Sequence, residues 1–236
     1  MFDETRWALA DDEVAAIIAR ADVRPPAKVL DLCCGTGRHS LAFARRGFIV
    51  TGVDITQSYL EAAQETAAAE GLAIEFVHED ARDFSRPNTF DLCVNLGASF
   101  GYFAHAHEDR KVLRRCQENL APGGRFVIEA MGKESVARNF VDFERFERDG
   151  WLVSAQYHIF DNWQKLHNIW HAQKGRACYE YAFAIRLYAA TELEAILRRI
   201  GFSSIECYGD LAGTPYDEHV MMLVTFATVL KETQHE

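Results

Sequence analysis

Glycines and carboxylates spaced as in a nucleotide-type ligand site occur near the start of the chain. The segment 31–37, Asp-Leu-Cys-Cys-Gly-Thr-Gly, follows the apolar residues Val29 and Leu30 and precedes the apolar run 41–44. This order predicts a buried strand, a tight glycine turn and the first turn of a helix. The free N–H groups at such a helix start suit a carboxylate or a phosphate. We therefore predict a ligand site at residues 33–37.

Two more acids end predicted strands further along the chain, Asp54 after residues 48–53 and Asp80 after residues 74–78. A carboxylate at the tip of the second strand can accept hydrogen bonds from ribose hydroxyl groups. NAD and S-adenosylmethionine both contain a ribose, so Asp54 alone does not distinguish them. Ser40 occupies the third position of a G-x-G-x-x-G pattern, which disfavours a dinucleotide site without excluding it.

The elements that must position these residues alternate as strand and helix up to residue 130. Five such strands predict a parallel sheet with right-handed crossovers. Aromatic and β-branched residues without a helical period then predict three antiparallel strands, at Trp151–Phe160, Trp163–Ala172 and Ala177–Tyr188. A helix capped by Thr191, with Glu194 at the capping-box position, and strands over 203–208 and 220–229 complete the pattern.

Composition and charge narrow the classes of protein that fit. The chain has 236 residues and a formal net charge of −10, which disfavours nucleic acid as the main partner. Its first seven residues lack the apolar core of a signal peptide, and no run of about 20 apolar residues spans a membrane. The six cysteines lack a C-x-x-C pair, as expected for reduced thiols in the cytoplasm. We predict no metal, and assign the His105–Asp109 stretch to a helix start.

The residues Asp80-Ala81 at the acidic tip of the third strand, the turn 122–124 (Pro-Gly-Gly) and the final strand pair are three features of the sequence. Together they resemble class I S-adenosylmethionine-dependent methyltransferases, over residues 28–130 and 189–229. Three segments resemble more closely a bacterial group of small-molecule methyltransferases. They read D-L-C-C-G-x-G-R-H, N-L-x-x-S-F-G-Y-F and Y-G-D-x-x-G-x-P-Y, and here occupy residues 31–39, 95–103 and 208–216.

This resemblance implies an α/β fold with a Rossmann-like, doubly wound sheet of seven strands. The sheet is expected to be mostly parallel with an antiparallel last strand, and an antiparallel β insertion follows the fifth strand. We expect one methyltransferase domain over residues 1–236. Within it the insertion, residues 139–188, covers the methyl acceptor or forms the contact of a homodimer.

The resemblance also implies which residues hold S-adenosylmethionine and its product, S-adenosylhomocysteine. Asp54 is expected at the ribose, Ile55 on the adenine, and Asp80 and Ala81 at the adenine edge. Trp7 is expected to fold over the cofactor. The residues expected around the methionine half are Asp31, Cys33, Gly35, Gly37, Asn95 and Gly97.

The predicted reaction is methyl transfer to an oxygen or nitrogen of a small, aromatic or heterocyclic metabolite. The residues predicted to contact this acceptor are Phe100, Tyr102, Phe103, Trp163, Trp170 and Tyr216. Tyr102, His167 and His219 are candidate bases, needed only if the acceptor arrives protonated. The alternatives are an RNA or protein methyltransferase on the same fold, an NAD-dependent oxidoreductase, and a catalytically silent cofactor-binding subunit.

Overall fold

A computed structural model describes residues 4–230 of the chain, so residues 1–3 of the N-terminal stretch discussed above lie outside it. The helices of this part are α1 (Glu4–Ala21), α2 (Arg38–Arg45), α3 (Gln57–Ala69), α4 (Ala106–Asn119), α5 (Lys133–Asn139) and α6 (Ala190–Ile200). The strands are β1 (Lys28–Leu32), β2 (Ile49–Asp54), β3 (Ile74–His78), β4 (Phe90–Asn95), β5 (Leu120–Ala130), β6 (Phe143–Arg148), β7 (Trp151–Phe160), β8 (Lys165–Lys174), β9 (Ala177–Arg186), β10 (Phe202–Tyr208) and β11 (Leu223–Val229). Between residues 4 and 230, no helix combines the length and the apolar character needed to cross a bilayer.

The main sheet has seven strands in the order β10-β11-β5-β4-β1-β2-β3. All neighbours in it are parallel except at β11, which runs antiparallel to both β5 and β10. The predicted fold class is thereby confirmed. Strand β1 pairs with β2 on one side and β4 on the other, so the chain reverses its direction of winding beside β1. Ligands of open α/β sheets bind at such a reversal, at the carboxyl ends of the strands.

Helices cover both faces of the main sheet, because successive residues of its central strands point to opposite sides. Val29 of β1 packs with Ile17 of α1 and Phe43 of α2 in one core layer. Leu30, the next residue, packs in the other layer, which includes Leu113 of α4 and residues of α6. Val29 and Leu30 are both 0% exposed. The strand that Val29 and Leu30 predicted to be buried is therefore covered on both faces.

The second sheet is antiparallel, with the order β6-β7-β8-β9, and follows β5 in the chain. The three predicted strands are present as β7, β8 and β9. A fourth strand, β6, was not predicted, and it pairs along its whole length with β7. Trp163 does not begin a strand. It lies in a turn with Asp161 and Asn162, all three at positive φ, and β8 starts at Lys165.

Three predicted boundaries also differ. Helix α6 follows Ala189, whose N–H donates to the carboxylate of Glu192 at 3.0 Å, so Thr191 is helical and does not cap. The turn at residues 122–124 is a bulge within β5, because Phe90 pairs with Leu120 whereas Leu92 pairs with Arg125. Strand β11 begins at Leu223 rather than at residue 220.

Candidate functional site

The carboxylate of Asp54, at the end of β2, joins two loops at the carboxyl edge of the main sheet. Its Oδ2 accepts the N–H of Gly35 at 2.8 Å, and its Oδ1 accepts the N–H of Thr56 at 2.8 Å. The N–H of Cys34 donates to the carbonyl of Val53 at 3.0 Å, which fastens the glycine loop to β2 a second time. Each carboxylate oxygen keeps further lone pairs for a ligand hydroxyl group.

The glycine loop, residues 33–37, turns sharply between β1 and α2. Cys33, Gly35 and Gly37 all have positive φ, at 63°, 57° and 79°. A Cβ at Gly37 would lie 3.0 Å from the Cβ of Ala63 in α3, so glycine is required there for packing as well as for backbone conformation. The loop therefore brings backbone N–H groups close to whatever binds at this edge.

Two polar side chains lie beneath the glycine loop. Asp31 is 2% exposed and accepts the hydroxyl of Ser40 at 2.6 Å, and burial raises the pKa of its carboxyl group. Asn95, at the end of β4, donates from Nδ2 to the carbonyl of Leu32 at 2.8 Å. Its Oδ1 is buried without a hydrogen-bond partner among the described residues. An unpaired buried acceptor is uncommon in folded proteins, and a ligand with a donor group would complete it.

Asp80, after β3, is held by a residue that the sequence analysis did not single out. The Arg82 guanidinium donates to both of its oxygens, from Nε at 3.0 Å and from Nη2 at 2.7 Å. This bonding to Arg82 lowers the pKa of Asp80. Arg82 also pairs with Glu108 and lies 4.5 Å from the ring centre of Phe103. A ligand at Asp80 must share that carboxylate with Arg82.

The remaining cofactor candidates differ in exposure. Ile55, after Asp54, is 64% exposed, which leaves an apolar side chain open to a ligand, whereas Ala81 is buried. Gly97 donates its N–H to Oε2 of Glu129 at 2.7 Å. Trp7 lies half-buried in α1.

Ion pairs join α1 to the start of α2. Glu13 of α1 accepts from Arg38 at 2.8 Å and pairs with His39 at 2.7 Å. Arg38 also donates to the carbonyl of Arg6 at 2.9 Å. These contacts fasten the helix that carries Trp7 to the helix that follows the glycine loop.

Four aromatic rings, here called the aromatic row, connect the loop after β4 to the second sheet. Tyr102 stacks on Phe183 of β9 at 6.0 Å between ring centres, Phe183 lies 6.2 Å from Trp170 of β8, and Trp170 lies 6.2 Å from Phe146 of β6. Tyr102 is 41% exposed, and the indole N–H of Trp170 is buried without a partner among the described residues. The structure thus brings Tyr102 and Trp170 together through Phe183.

The other two rings of the loop after β4 have different surroundings. Phe100 is 4% exposed and packs on Tyr188 at 5.3 Å, and Phe103 lies beneath Arg82. Phe100 therefore supports the loop from inside rather than presenting a surface.

The remaining acceptor and base candidates lie in separate environments. Trp163 packs edge-on against Phe140 at 6.0 Å, and Tyr216 donates its hydroxyl to Glu134 at 3.0 Å. His219 lies 3.0 Å from a guanidinium nitrogen of Arg138. His167 points to the face of β8 opposite Trp170, because residues separated by an odd number alternate across a strand.

Sequence reasoning missed Arg82, Glu129 and Phe183. Glu129 follows a run of buried apolar residues near the end of β5, which is the same signal that pointed to Asp31 and Asp54. Phe183 had no such signal, since its partners come from distant parts of the chain.

Metal ligands are not assembled in the described residues, 4–230, where no group of three or more His, Cys, Asp or Glu side chains could hold an ion. His105 precedes α4, its ring stacks on that of His107 at 5.5 Å, and its N–H donates to Glu108 at 3.1 Å. The stretch is a helix start.

The site therefore combines a glycine loop after β1, an acid at the end of β2, another after β3, and a strand order that ends antiparallel. This is the arrangement of a Rossmann-like domain that binds a nucleoside cofactor at its switch point.

Part of the chain is similar to known methyltransferases. Residues 29–124 match the family model described as a methyltransferase domain. The chain is 34% identical over 139 residues to a demethylmenaquinone methyltransferase of Clavibacter sepedonicus, covering 54% of this chain and 55% of that protein. It is 31% identical over 115 residues to a ubiquinone biosynthesis O-methyltransferase of Pseudomonas syringae pv. tomato, covering 48% of each. The matched region thus spans about half the length of these relatives.

The fold is similar to that of an S-adenosylmethionine-dependent methyltransferase of Clostridium acetobutylicum, with a TM-score of 0.81 and 15% identity over 97% of this chain and 93% of that one. This similarity concerns the fold, and residues 29–124 of that fold match the methyltransferase domain family. The match over residues 29–124 agrees with the methyltransferase family predicted from the sequence.

Proposed function

We propose that the protein transfers a methyl group from S-adenosylmethionine to an oxygen or nitrogen atom of a small aromatic or heterocyclic metabolite. The donor half of this proposal rests above all on the buried Oδ1 of Asn95 next to the glycine loop, which has no hydrogen-bond partner within residues 4–230. An oxygen in that position accepts a hydrogen bond from an ammonium group or attracts a sulfonium. The buried carboxyl of Asp31 lies under the same loop and favours a cation.

The remaining donor contacts follow from the strand ends. The lone pairs of Asp54 that Gly35 and Thr56 leave free accept the ribose hydroxyl groups. The exposed side chain of Ile55 packs on the adenine, and Asp80 contacts the adenine edge together with Arg82. Bound S-adenosylmethionine supplies a methyl group on a sulfonium, and S-adenosylhomocysteine remains after transfer.

The acceptor half of the proposal rests on the aromatic row. Flat rings stack on aromatic acceptors and exclude water, and methyl transfer requires mainly alignment and a dry site. The indole N–H of Trp170, which has no partner in the described part of the chain, offers the acceptor a hydrogen bond. Burial raises the pKa of Tyr102, so its hydroxyl is a hydrogen-bond donor at neutral pH and becomes a base only at high pH.

The names of the relatives support an acceptor of this size, since one is named for demethylmenaquinone and another for ubiquinone biosynthesis. A net charge of −10 opposes the approach of RNA. In this proposal the protein acts in the cytoplasm without a metal, and the insertion covers the acceptor or forms a homodimer contact.

The proposal is tested first by calorimetric titration with S-adenosylhomocysteine and, separately, with NAD. We expect saturable binding of S-adenosylhomocysteine only. Tight binding of NAD without binding of S-adenosylhomocysteine would contradict the proposal and favour an oxidoreductase.

Tritiated S-adenosylmethionine then tests the acceptor, offered with catechol, benzylamine and imidazole, with total RNA, or with unfolded protein. Label is expected in the small acceptors alone. Label in RNA or in protein would support the polymer alternative on the same fold.

A further inference from the structure

A buried ion pair connects α4 to the end of β9 and lies behind the loop that carries Tyr102. Arg186 donates from Nη1 to Oδ2 of Asp109 at 2.7 Å, and the hydroxyl of Tyr188 donates to the same oxygen at 2.7 Å. Asp109 is 0% and Arg186 9% exposed. We call these three residues the arginine cluster.

Arg186 also holds the loop of residues 97–105 directly. Its guanidinium donates to the carbonyl of Phe103 at 3.1 Å and to that of Ala104 at 3.0 Å. Its backbone N–H donates to the carbonyl of Gly101 at 2.7 Å. Three carbonyl groups of one loop are therefore bound by a single residue of the inserted sheet.

The loop of residues 97–105 and the end of β9 lie so close together that residue 101 must be glycine. Gly101 has a φ of 96°, and a Cβ there would lie 2.5 Å from the carbonyl oxygen of Arg186. On the loop's inner side, Phe100 packs against the ring of Tyr188. The loop is thus fixed on both sides of Tyr102, while Tyr102 itself stays partly exposed.

A contribution to the free energy of folding does not account well for the buried ion pair of Arg186 and Asp109. A buried ion pair adds little net stability compared with apolar residues of the same volume, because desolvation offsets the attraction. The planar, forked donors of the arginine guanidinium instead fix the positions of the groups that accept from it, and a lysine ammonium cannot reproduce that arrangement.

We propose that Arg186 is a positioning residue, which together with Asp109 and Tyr188 holds loop 97–105 against the inserted sheet so that Tyr102 faces Phe183. The inference rests on the proposed function, since it gives the aromatic row its role toward the acceptor. It assigns the arginine cluster no contact with the cofactor.

The test compares two variants by hydrogen exchange with mass spectrometry. Arg186→Lys keeps a charge for Asp109 but cannot reach Asp109 and two carbonyls together. Tyr188→Phe, the matched control, removes one bond to the same carboxylate and leaves the loop contacts in place. In Arg186→Lys we expect the amides of loop 97–105 to exchange at least tenfold faster, with those of β1 and β4 within twofold of wild type. In Tyr188→Phe we expect the exchange rates of the loop amides to stay within threefold of wild type.

Two further measurements separate positioning from general stability and from the proposed function. The Kd for S-adenosylhomocysteine should stay within twofold in both variants, and chymotrypsin should cleave Arg186→Lys faster after Tyr102 or Phe103. Unchanged loop exchange, or faster exchange throughout the molecule, would overturn the inference. Failure of the wild type to bind S-adenosylhomocysteine would refute the proposed function instead. The hydrogen-exchange result would still decide whether Arg186 positions the loop.

Discussion

Replacing Asp54 by asparagine is the sharpest test of the cofactor site, because that carboxylate holds two loops together and is also proposed to bind the ribose. Each of its oxygens accepts one backbone N–H at 2.8 Å, from Gly35 and from Thr56. An asparagine offers only one oxygen, and its NH₂ group would face the other N–H. The variant therefore loses a loop contact as well as its charge.

The expected change in Kd follows from the type of hydrogen bond that the variant loses. A hydrogen bond to a charged group is worth about 1.5–3 kcal/mol net. Losing one such bond to the ribose raises the Kd for S-adenosylhomocysteine about 10- to 100-fold, since 1.4 kcal/mol is a factor of ten. Calorimetric titration measures this directly, and urea unfolding measures the separate effect on the fold.

Asp91→Asn is a matched control for this substitution. Asp91 accepts the N–H of Lys28 at 2.8 Å, which is the same kind of bond at the opposite end of the sheet. We expect its Kd to equal that of the wild type. The assignment of Asp54 to the ribose is refuted if Asp54→Asn binds within twofold of wild type, or if both variants lose affinity equally.

Other predictions concern stability. The pKa of Glu13 is lowered because the hydrogen bond and charge of His39, with those of Arg38, outweigh a burial effect that alone would raise it. A lowered carboxyl pKa stabilises the fold at pH values above the pKa of the unfolded chain. The urea midpoint of wild type should therefore exceed that of Glu13→Gln above about pH 5, and the difference should shrink below about pH 4. A difference that grows on acidification below about pH 4 contradicts this. Gly101→Ala should destabilise the fold by at least ~2 kcal/mol in urea unfolding, from positive φ plus the clash described above, whereas Gly175→Ala, at a φ of 59° with nothing within 4 Å, should cost only ~1 kcal/mol. Equal losses of unfolding free energy in the two glycine variants would contradict the steric explanation.

The main sheet could be predicted from the sequence because its signals are local. Apolar runs, glycine turns and acids at strand ends recur in order, and residues 29–37 alone indicate strand, turn and helix. The same local signal predicted Asp31, Asp54 and Asp80 as residues of the cofactor site.

The inserted sheet was harder because its strands depend on one another. Strand β6, Phe143–Arg148, has mostly exposed side chains and four charges in six residues, so no apolar alternation marks it. Only pairing with β7 makes it a strand. Arg186 and Phe183 likewise acquire partners from the loop after β4, and Arg186 is separated from Phe103 of that loop by 83 residues.

The position of β11 has a consequence for how the chain is made. This strand follows every other described strand in the chain, yet it lies between β5 and β10 in the sheet. Until residues 223–229 have left the ribosome, β5 has an open edge and β10 has no partner strand. A half-made chain therefore exposes pairing surfaces that favour association with other chains. Productive folding of the sheet waits for the end of this segment's synthesis, so a stop codon before residue 223 should yield aggregated rather than shortened native protein.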